Sequence, residues 1–233
     1  MTDIALRFVD PDGVFSGLQS FFTPRKARLF AVACCRLLEQ WVTESYCERA
    51  VEVSEQFADG LIPKQALAVT RKEFSAAERS RLRRMFEGRG QGAHFDLLSS
   101  DDRPAVWAGT YDACRNSLRA DAWDAARLCR VAADRTLRRI PDGRGGDNRS
   151  QLVLHDVFGD SLRPAAFDPR WRTADAVGLA RGIYEDRAFD RLPLLADALM
   201  DAGCADEQVL EHCRSEGPHV RGCWVVDLVL GKE

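Results

Sequence analysis

Pro24-Arg-Lys-Ala-Arg-Leu-Phe-Ala-Val-Ala-Cys-Cys-Arg-Leu-Leu-Glu-Gln-Trp41 is the stretch of the chain with the clearest helical pattern. Pro24 follows Thr23, and proline is favoured at the first position of a helix. Behind it, apolar residues recur at intervals of three and four, so that they share one helical face. The stretch therefore predicts an amphipathic helix with one side packed against a core. The apolar face consists of Leu29, Phe30, Ala33, Cys34, Leu37, Leu38 and Trp41.

Four more helices are predicted in the first half of the chain. Thr43 fits the cap of a second helix and Gly60 fits its end. The connections on either side of this helix are short, which is typical of antiparallel neighbouring helices. The other three helices are predicted at Pro63 to about Phe86, Arg103 to Leu118 and Asp121 to Arg139.

The second half of the chain is also predicted to be helical. Pro141-Asp-Gly-Arg-Gly-Gly-Asp147 is the best candidate for a linker. The last segment, Gly222 to Leu230, is apolar almost all round, a pattern that fits either a buried helix or a buried strand. We expect a helix, because no other segment offers a convincing strand to pair with it. Further helices are predicted at Asn148 to Phe158, Thr173 to Arg187, Leu192 to Leu199 and Asp206 to Cys213.

The predicted fold class is all-α, a multi-helix globular bundle. An N-terminal helical part at residues 1–140 and a C-terminal helical part at residues 148–233 are joined near residues 141–147. These parts form either two packed lobes or one continuous fold, and we expect one continuous fold.

The composition is that of an ordinary globular protein. Of 233 residues, 45% are hydrophobic and 30% are charged, which excludes a mostly disordered chain. The net charge of −3 excludes a polycation drawn as a whole to DNA or anionic lipid. The first residues lack a secretion signal and no run approaches the ~18 apolar residues of a membrane span, so we predict a cytoplasmic location. The eight cysteines lie largely within helical apolar patterns, and we expect reduced thiols.

Several segments at both ends of the chain match a recurring pattern. They are Arg28-Leu-Phe-Ala-Val-Ala-Cys-Cys-Arg36, Arg49-Ala-Val-Glu-Val-Ser-Glu-Gln-Phe-Ala-Asp-Gly60, Leu154-His-Asp-Val-Phe-Gly159, Ala180-Arg-Gly-Ile-Tyr-Glu-Asp-Arg-Ala-Phe-Asp190, Leu195-Ala-Asp-Ala-Leu199 and Gly217-Pro-His-Val-Arg-Gly-Cys-Trp-Val-Val-Asp227. Together they resemble a family of uncharacterised bacterial helical proteins that has no assigned activity. The resemblance is weak between about Arg71 and Arg144. It implies one fold over the whole chain and carries over no catalytic residue.

Residue types that bind metals are concentrated near the C-terminal end. Zinc prefers four tetrahedral Cys or His ligands, and residues close in sequence can supply them. The spacing here contains no Cys-x-x-Cys pair, which structural zinc sites commonly have. Two alternatives remain, a zinc site or core cysteines with hydrogen-bonded structural histidines. The residues concerned are Cys204, His212, Cys213, His219 and Cys223.

The middle of the chain is basic. From Arg71 to Arg149, seventeen Arg or Lys residues stand against twelve Asp or Glu residues. If these cations share a face they could bind phosphates, which makes nucleic acid one candidate partner. Interleaved acids such as Glu73 and Glu78 favour a solvated surface of mixed charge. A protein partner is a third alternative, with candidate contact residues Arg79, Arg83, Arg84, Glu185, Arg187 and Arg191.

The sequence contains none of the common enzyme motifs. A phosphate-binding loop, a dinucleotide-binding glycine motif, His-Glu-x-x-His and a nucleophile elbow are all absent from it. We therefore predict no catalytic residue. The expected function is a non-enzymatic helical module that binds a protein partner. The alternatives are a zinc-binding protein, with the metal structural or catalytic, and nucleic-acid binding through the basic middle.

Overall fold

The computed structural model describes residues 15, 17–41, 44–86, 102–140, 149–159 and 167–232. All the regular structure in these ranges is helical, and they contain no strand. The predicted all-α fold class is therefore confirmed. The chain divides into two compact units, residues 1–147 and residues 148–233.

The N-terminal unit contains five bounded α-helices and one 3₁₀ turn within the described ranges. They are α1 (Pro24–Arg36), the turn Glu39–Trp41, α2 (Ser45–Ala58), α3 (Lys64–Phe86), α4 (Asp102–Ser117) and α5 (Ala122–Leu137).

The C-terminal unit contains five shorter α-helices and two 3₁₀ turns among its described residues. They are α6 (Arg149–Phe158), the turn Pro169–Trp171, α7 (Ala174–Asp186), the turn Phe189–Arg191, α8 (Leu192–Asp201), α9 (Glu207–Arg214) and α10 (Trp224–Leu230).

Helix α1 is the centre of the N-terminal unit. It begins where the Thr23 side chain accepts a hydrogen bond from the Lys26 backbone N–H, which satisfies one of the free donors of the first turn. It packs against α2, α4 and α5, and every residue from Lys26 to Cys35 is buried. The α-helix ends at Arg36, earlier than the apolar pattern indicates, and Trp41 lies in the following 3₁₀ turn.

A buried arginine ties α1 to the end of α4. The Arg28 guanidinium donates to the carbonyl oxygens of Ser117 at 2.9 Å, Arg119 at 2.9 Å and Ala120 at 3.2 Å. The last carbonyls of a helix have no partner within the helix, so an arginine can satisfy them. Arg28 is only 2% exposed, which makes it one of the largest fully buried side chains of the unit.

The core of the C-terminal unit is built from the apolar faces of α7, α8, α9 and α10. Helix α10 confirms the expectation of a helix for the ambiguous segment at residues 222–230, and most of its residues are buried. Arg172 donates to the Leu228 carbonyl oxygen with Nε at 3.1 Å and Nη2 at 2.8 Å, near the end of α10. This contact holds the last turn of α10 from outside the helix.

All eight cysteines are free and buried. The proposed linker at residues 141–147 and the predicted cap Thr43 lie outside the described residues. None of the described helices combines the length and the apolar character needed to cross a bilayer.

Candidate metal centre

Four side chains of the C-terminal unit bring potential metal-ligand atoms together. One atom each from Asp156, His212, His219 and Cys223 lie within 4.8 Å of one another. Three of these residues belong to the group that the sequence predicts as zinc ligands, and Asp156 does not. We call these four residues the Asp–His–His–Cys cluster.

The cluster is assembled from three parts of the unit. Asp156 lies on the buried face of α6, next to Val153 and Val157 in the helical pattern. His212 lies in the last turn of α9, which Asp206 caps at its beginning. The other two members, His219 and Cys223, lie in the segment that connects α9 to α10.

The Asp156 carboxylate is the centre of the cluster. Its Oδ1 is 2.6 Å from Nδ1 of His219 and 3.1 Å from Nε2 of His212. Its Oδ2 accepts the backbone N–H of Val220 at 2.8 Å. Burial raises the pKa of Asp156, but the hydrogen bonds and charges of His212 and His219 outweigh it, and the net pKa is lowered. The two histidines therefore favour the ionised form of the carboxylate, which is the form that binds a metal ion.

His219 has an acceptor in front of each ring nitrogen. Nδ1 faces Oδ1 of Asp156, while Nε2 faces the Ser215 carbonyl oxygen at 3.1 Å and the Ser215 hydroxyl at 3.3 Å. A neutral imidazole has one N–H and cannot donate to both sides. Three states fit these contacts: a cation that donates from both nitrogens, a neutral ring that donates from Nδ1 to Asp156, and a neutral ring that donates from Nε2. In the last state the lone pair of Nδ1 is available to a positive ion shared with Asp156. Burial lowers the pKa of His219, but the contacts with Asp156 and Ser215 outweigh burial, and the net pKa is raised.

His212 presents one nitrogen to two partners. Its Nε2 is 3.1 Å from Oδ1 of Asp156 and 3.2 Å from Sγ of Cys223. In a catalytic Cys–His–Asp arrangement, the carboxylate holds the ring nitrogen opposite the one that serves the nucleophile. Here both contacts use the same nitrogen, which does not suit a nucleophilic cysteine. It suits ligands that converge on one cation.

The Cys223 thiol is enclosed. Its side chain is 0% exposed, and burial raises its pKa well above the usual value. A bound cation would reverse this effect, because a metal-coordinating thiol is deprotonated. Without such a cation Cys223 is an unreactive core residue.

The other two predicted zinc cysteines, Cys204 and Cys213, lie outside the Asp–His–His–Cys cluster. Both are buried in the apolar core of the same unit. Burial raises the pKa of the Cys213 thiol to about 12. Of the five Cys and His residues predicted as zinc ligands, three therefore belong to the cluster and two pack in the core.

The predicted partner residues are distributed over both units. Arg79 and Arg83 are exposed on α3, and the side chain of Arg84 lies outside the described set. Glu185, Arg187 and Arg191 are exposed in the C-terminal unit.

Many arginines of the basic middle are engaged with acids. Examples are Arg81 with Glu44 at 2.6 Å and Arg115 with Glu78 at 3.7 Å. Such pairing reduces the charge available for phosphates, in line with the alternative of a mixed-charge surface.

Comparisons with known proteins give no match to any protein-family model, curated protein or solved structure.

Proposed function

We propose that this protein binds a zinc ion in its C-terminal unit. The ligand atoms are Oδ1 of Asp156, Nε2 of His212, Nδ1 of His219 and Sγ of Cys223. The observation that carries the proposal is the convergence of these four atoms within 4.8 Å. A thiolate, two imidazoles and one carboxylate are a donor set that zinc accepts readily, whereas magnesium and calcium prefer oxygen ligands.

Three of the contacts between the ligand atoms are shorter than those of a tetrahedral zinc site. Zinc bonds of about 2.0–2.3 Å place neighbouring ligand atoms roughly 3.3–3.8 Å apart. The contacts of His212 with Asp156 and Cys223 are 3.1 Å and 3.2 Å, and that of His219 with Asp156 is 2.6 Å. Side-chain rotations would have to move these atoms apart to admit the ion.

The surroundings of the ligands also support the proposal. Histidines that bind metals commonly donate their second N–H to a backbone carbonyl, and ligating carboxylates are themselves hydrogen-bonded. Nε2 of His219 faces the Ser215 carbonyl oxygen, and Oδ2 of Asp156 accepts the Val220 N–H. Both contacts would orient the ligands toward a common centre.

A site with four protein ligands favours a structural role for the zinc. Catalytic zinc sites keep one position open for water or substrate, whereas closed sites hold segments of the chain together. The ion would join α6, the end of α9 and the segment before α10. A structural zinc site of this kind is compatible with the non-enzymatic, partner-binding role expected from the sequence.

The test is cobalt substitution of the full-length protein. Cobalt(II) in a tetrahedral thiolate site gives intense visible bands and a near-ultraviolet band from sulfur-to-metal charge transfer. We expect one equivalent per chain with both features. Cys223→Ser is expected to lose the charge-transfer band and to weaken binding by more than the about 10–100-fold typical of an altered outer-shell partner.

Cys213→Ser is the matched control, because Cys213 is equally buried in the same core and lies outside the cluster. It is expected to retain both spectral features. Failure of the wild-type protein to bind cobalt or zinc stoichiometrically would overturn the proposal. Equal effects of the two serine variants would overturn the assigned ligand set.

A second prediction concerns the loop that positions His219. Gly217 has a φ of +83°, and a Cβ placed there would lie 2.7 Å from the His219 backbone nitrogen. Gly217→Ala is therefore expected to displace His219 and to lower zinc affinity by about 10–100-fold, as measured by competition with a chromophoric chelator.

Gly203→Ala is the control for backbone strain in this experiment. Gly203 has a similar φ of +88°, but a Cβ there would meet nothing within 4 Å. It carries the same conformational penalty without displacing a ligand. A comparable loss of zinc affinity in both variants would show that strain alone, not the position of His219, accounts for the effect.

A further inference from the structure

A groove runs along one side of helix α3 in the N-terminal unit. It has a volume of ≈ 470 Å³, and its second wall is formed by the turn after α4. The buried side chains of Leu67 and Leu118 line it, together with the small residues Ala68 and Ser75. Ala120 and four cations make up the rest of the described lining, and the cations are Lys64, Arg71, Lys72 and Arg79. We call this feature the α3 groove.

The charge of the α3 groove is one-sided. Among the residues that the structure describes, no carboxylate lines it, and none of its four cations forms an ion pair. On the same helix, by contrast, Arg81 binds Glu44, and Glu78 binds Arg115. Four cations without a described ion pair therefore share one concave surface, and concavity strengthens the local positive potential.

Arg28 adds a buried positive charge behind the second wall. Its three hydrogen-bond acceptors are the carbonyl oxygens of Ser117, Arg119 and Ala120. The charge of Asp121 compensates the buried cation only in part, because burial still lowers the pKa of Arg28. Burying a charge is costly unless other charges compensate it. An anion in the α3 groove would supply part of that compensation.

The spacing of the cations identifies the kind of anion. Lys64, Arg71 and Arg79 follow one another at seven and eight residues, which is about 11 Å along a helix axis. The small residues Ala68 and Ser75 lie between them and leave room for a second backbone. A helix with a carboxylate at every seventh position has the same repeat. We propose that the α3 groove binds an acidic α-helical segment of a partner protein.

Nucleic acid fits the α3 groove less well. Sites for single strands combine cations with aromatic side chains on which the bases stack. None of the described residues that line this groove is aromatic. The protein partner expected from the sequence therefore has a defined surface and chemistry, independent of the zinc site.

The experiment measures fluorescence anisotropy of a labelled helical peptide with glutamate at every seventh position. The control peptide has the same composition in scrambled order, and a single-stranded oligonucleotide is the second control. We expect saturable binding of the ordered peptide that weakens as salt is raised, since exposed charge pairs are screened. The scrambled peptide and the oligonucleotide are expected to bind at least about tenfold more weakly.

The double variant Arg71→Glu with Arg79→Glu is expected to lower peptide affinity about tenfold per reversed charge. Its matched control, Arg49→Glu with Arg138→Glu, changes the net charge equally at exposed positions outside the groove, and should retain wild-type affinity. If circular dichroism shows that the reversal unfolds the chain, Arg71→Gln with Arg79→Gln replaces it.

Three outcomes would overturn the proposal. They are equal binding of both peptides, equal loss in both double variants, and tighter binding of the oligonucleotide, which would assign the groove to nucleic acid. Adding zinc or a chelator is expected to leave peptide affinity unchanged. The peptide experiment therefore tests the groove independently of whether the protein binds zinc.

Discussion

Replacing Asp156 with asparagine is expected to lower the free energy of unfolding by about 3–5 kcal/mol, the cost of breaking a buried ion pair by removing one partner. Asp156 is 2% exposed and accepts from His212, His219 and the Val220 N–H. An asparagine can place its oxygen on only one side, so its NH2 group would then face another donor. Equilibrium urea unfolding of the full-length, chelator-treated protein measures the loss.

The pH dependence of this loss follows from the two shifted groups. Because the pKa of Asp156 is lowered by folding, the carboxylate contributes stability at pH values above its pKa in the unfolded chain. This stability is lost as the pH falls through the pKa of the folded state. Because the pKa of His219 is raised by folding, the imidazolium contributes stability at pH values below its pKa in the unfolded chain. This stability is lost as the pH rises through the pKa of the folded state. The difference between wild type and Asp156→Asn is therefore expected to be largest between about pH 4 and pH 6.5.

Asp197→Asn is the control for this comparison. Asp197 forms an exposed ion pair with Arg214 at 3.1 Å on the surface of the same unit. Exposed pairs contribute less than about 1 kcal/mol, so this variant should unfold close to wild type at every pH. A loss below about 1 kcal/mol for Asp156→Asn would contradict the assignment of the carboxylate as the centre of the cluster.

Zinc is expected to stabilise the protein by about 4 kcal/mol when its free concentration is a thousandfold above the dissociation constant. The reason is that the four ligands converge only in the folded state. For a unit of this size, such a gain corresponds to a rise of roughly 15–30 °C in Tm. Scanning calorimetry of the full-length chain with zinc and with chelator measures the difference.

Magnesium is the control ion, because it favours an octahedral set of oxygen ligands. Its effect on Tm is expected to be negligible beside that of zinc. Identical transitions in zinc, magnesium and chelator would show that the Asp–His–His–Cys cluster is a hydrogen-bonded core feature. The Asp156→Asn result in chelator would be unaffected, so the two experiments separate the hydrogen-bonding role of the carboxylate from its metal-binding role.

Helix positions were readable from the sequence because their signals are local. The spacing of apolar residues after Pro24 predicts α1, and Asp121 and Asp206 are observed at the N-caps where the predicted helices begin. Boundaries were less accurate where packing decides them. The apolar pattern continues to Trp41, yet α1 ends at Arg36. The following 3₁₀ turn also places the Trp41 side chain in the core, so burial of Trp41 does not require the α-helix to continue.

The candidate site was only partly predictable, because its members come from distant parts of the chain. The density of Cys and His near the end indicated His212, His219 and Cys223. It gave no means of separating Cys213, which faces the apolar core, from Cys223. Asp156 was missed as a ligand because it lies 63 residues from His219 in sequence. Its position on the apolar face of α6 was the available signal, since a carboxylate there requires partners.

Because every thiol is buried, chemical labelling of the cysteines reports local opening of the structure. No cysteine is more than 4% exposed, so an alkylating reagent reaches a thiol only after the surrounding structure has separated. Five cysteines belong to the N-terminal unit and three to the C-terminal unit. The labelling rates of the corresponding peptides therefore report how often each unit opens under native conditions, without any substitution in the chain.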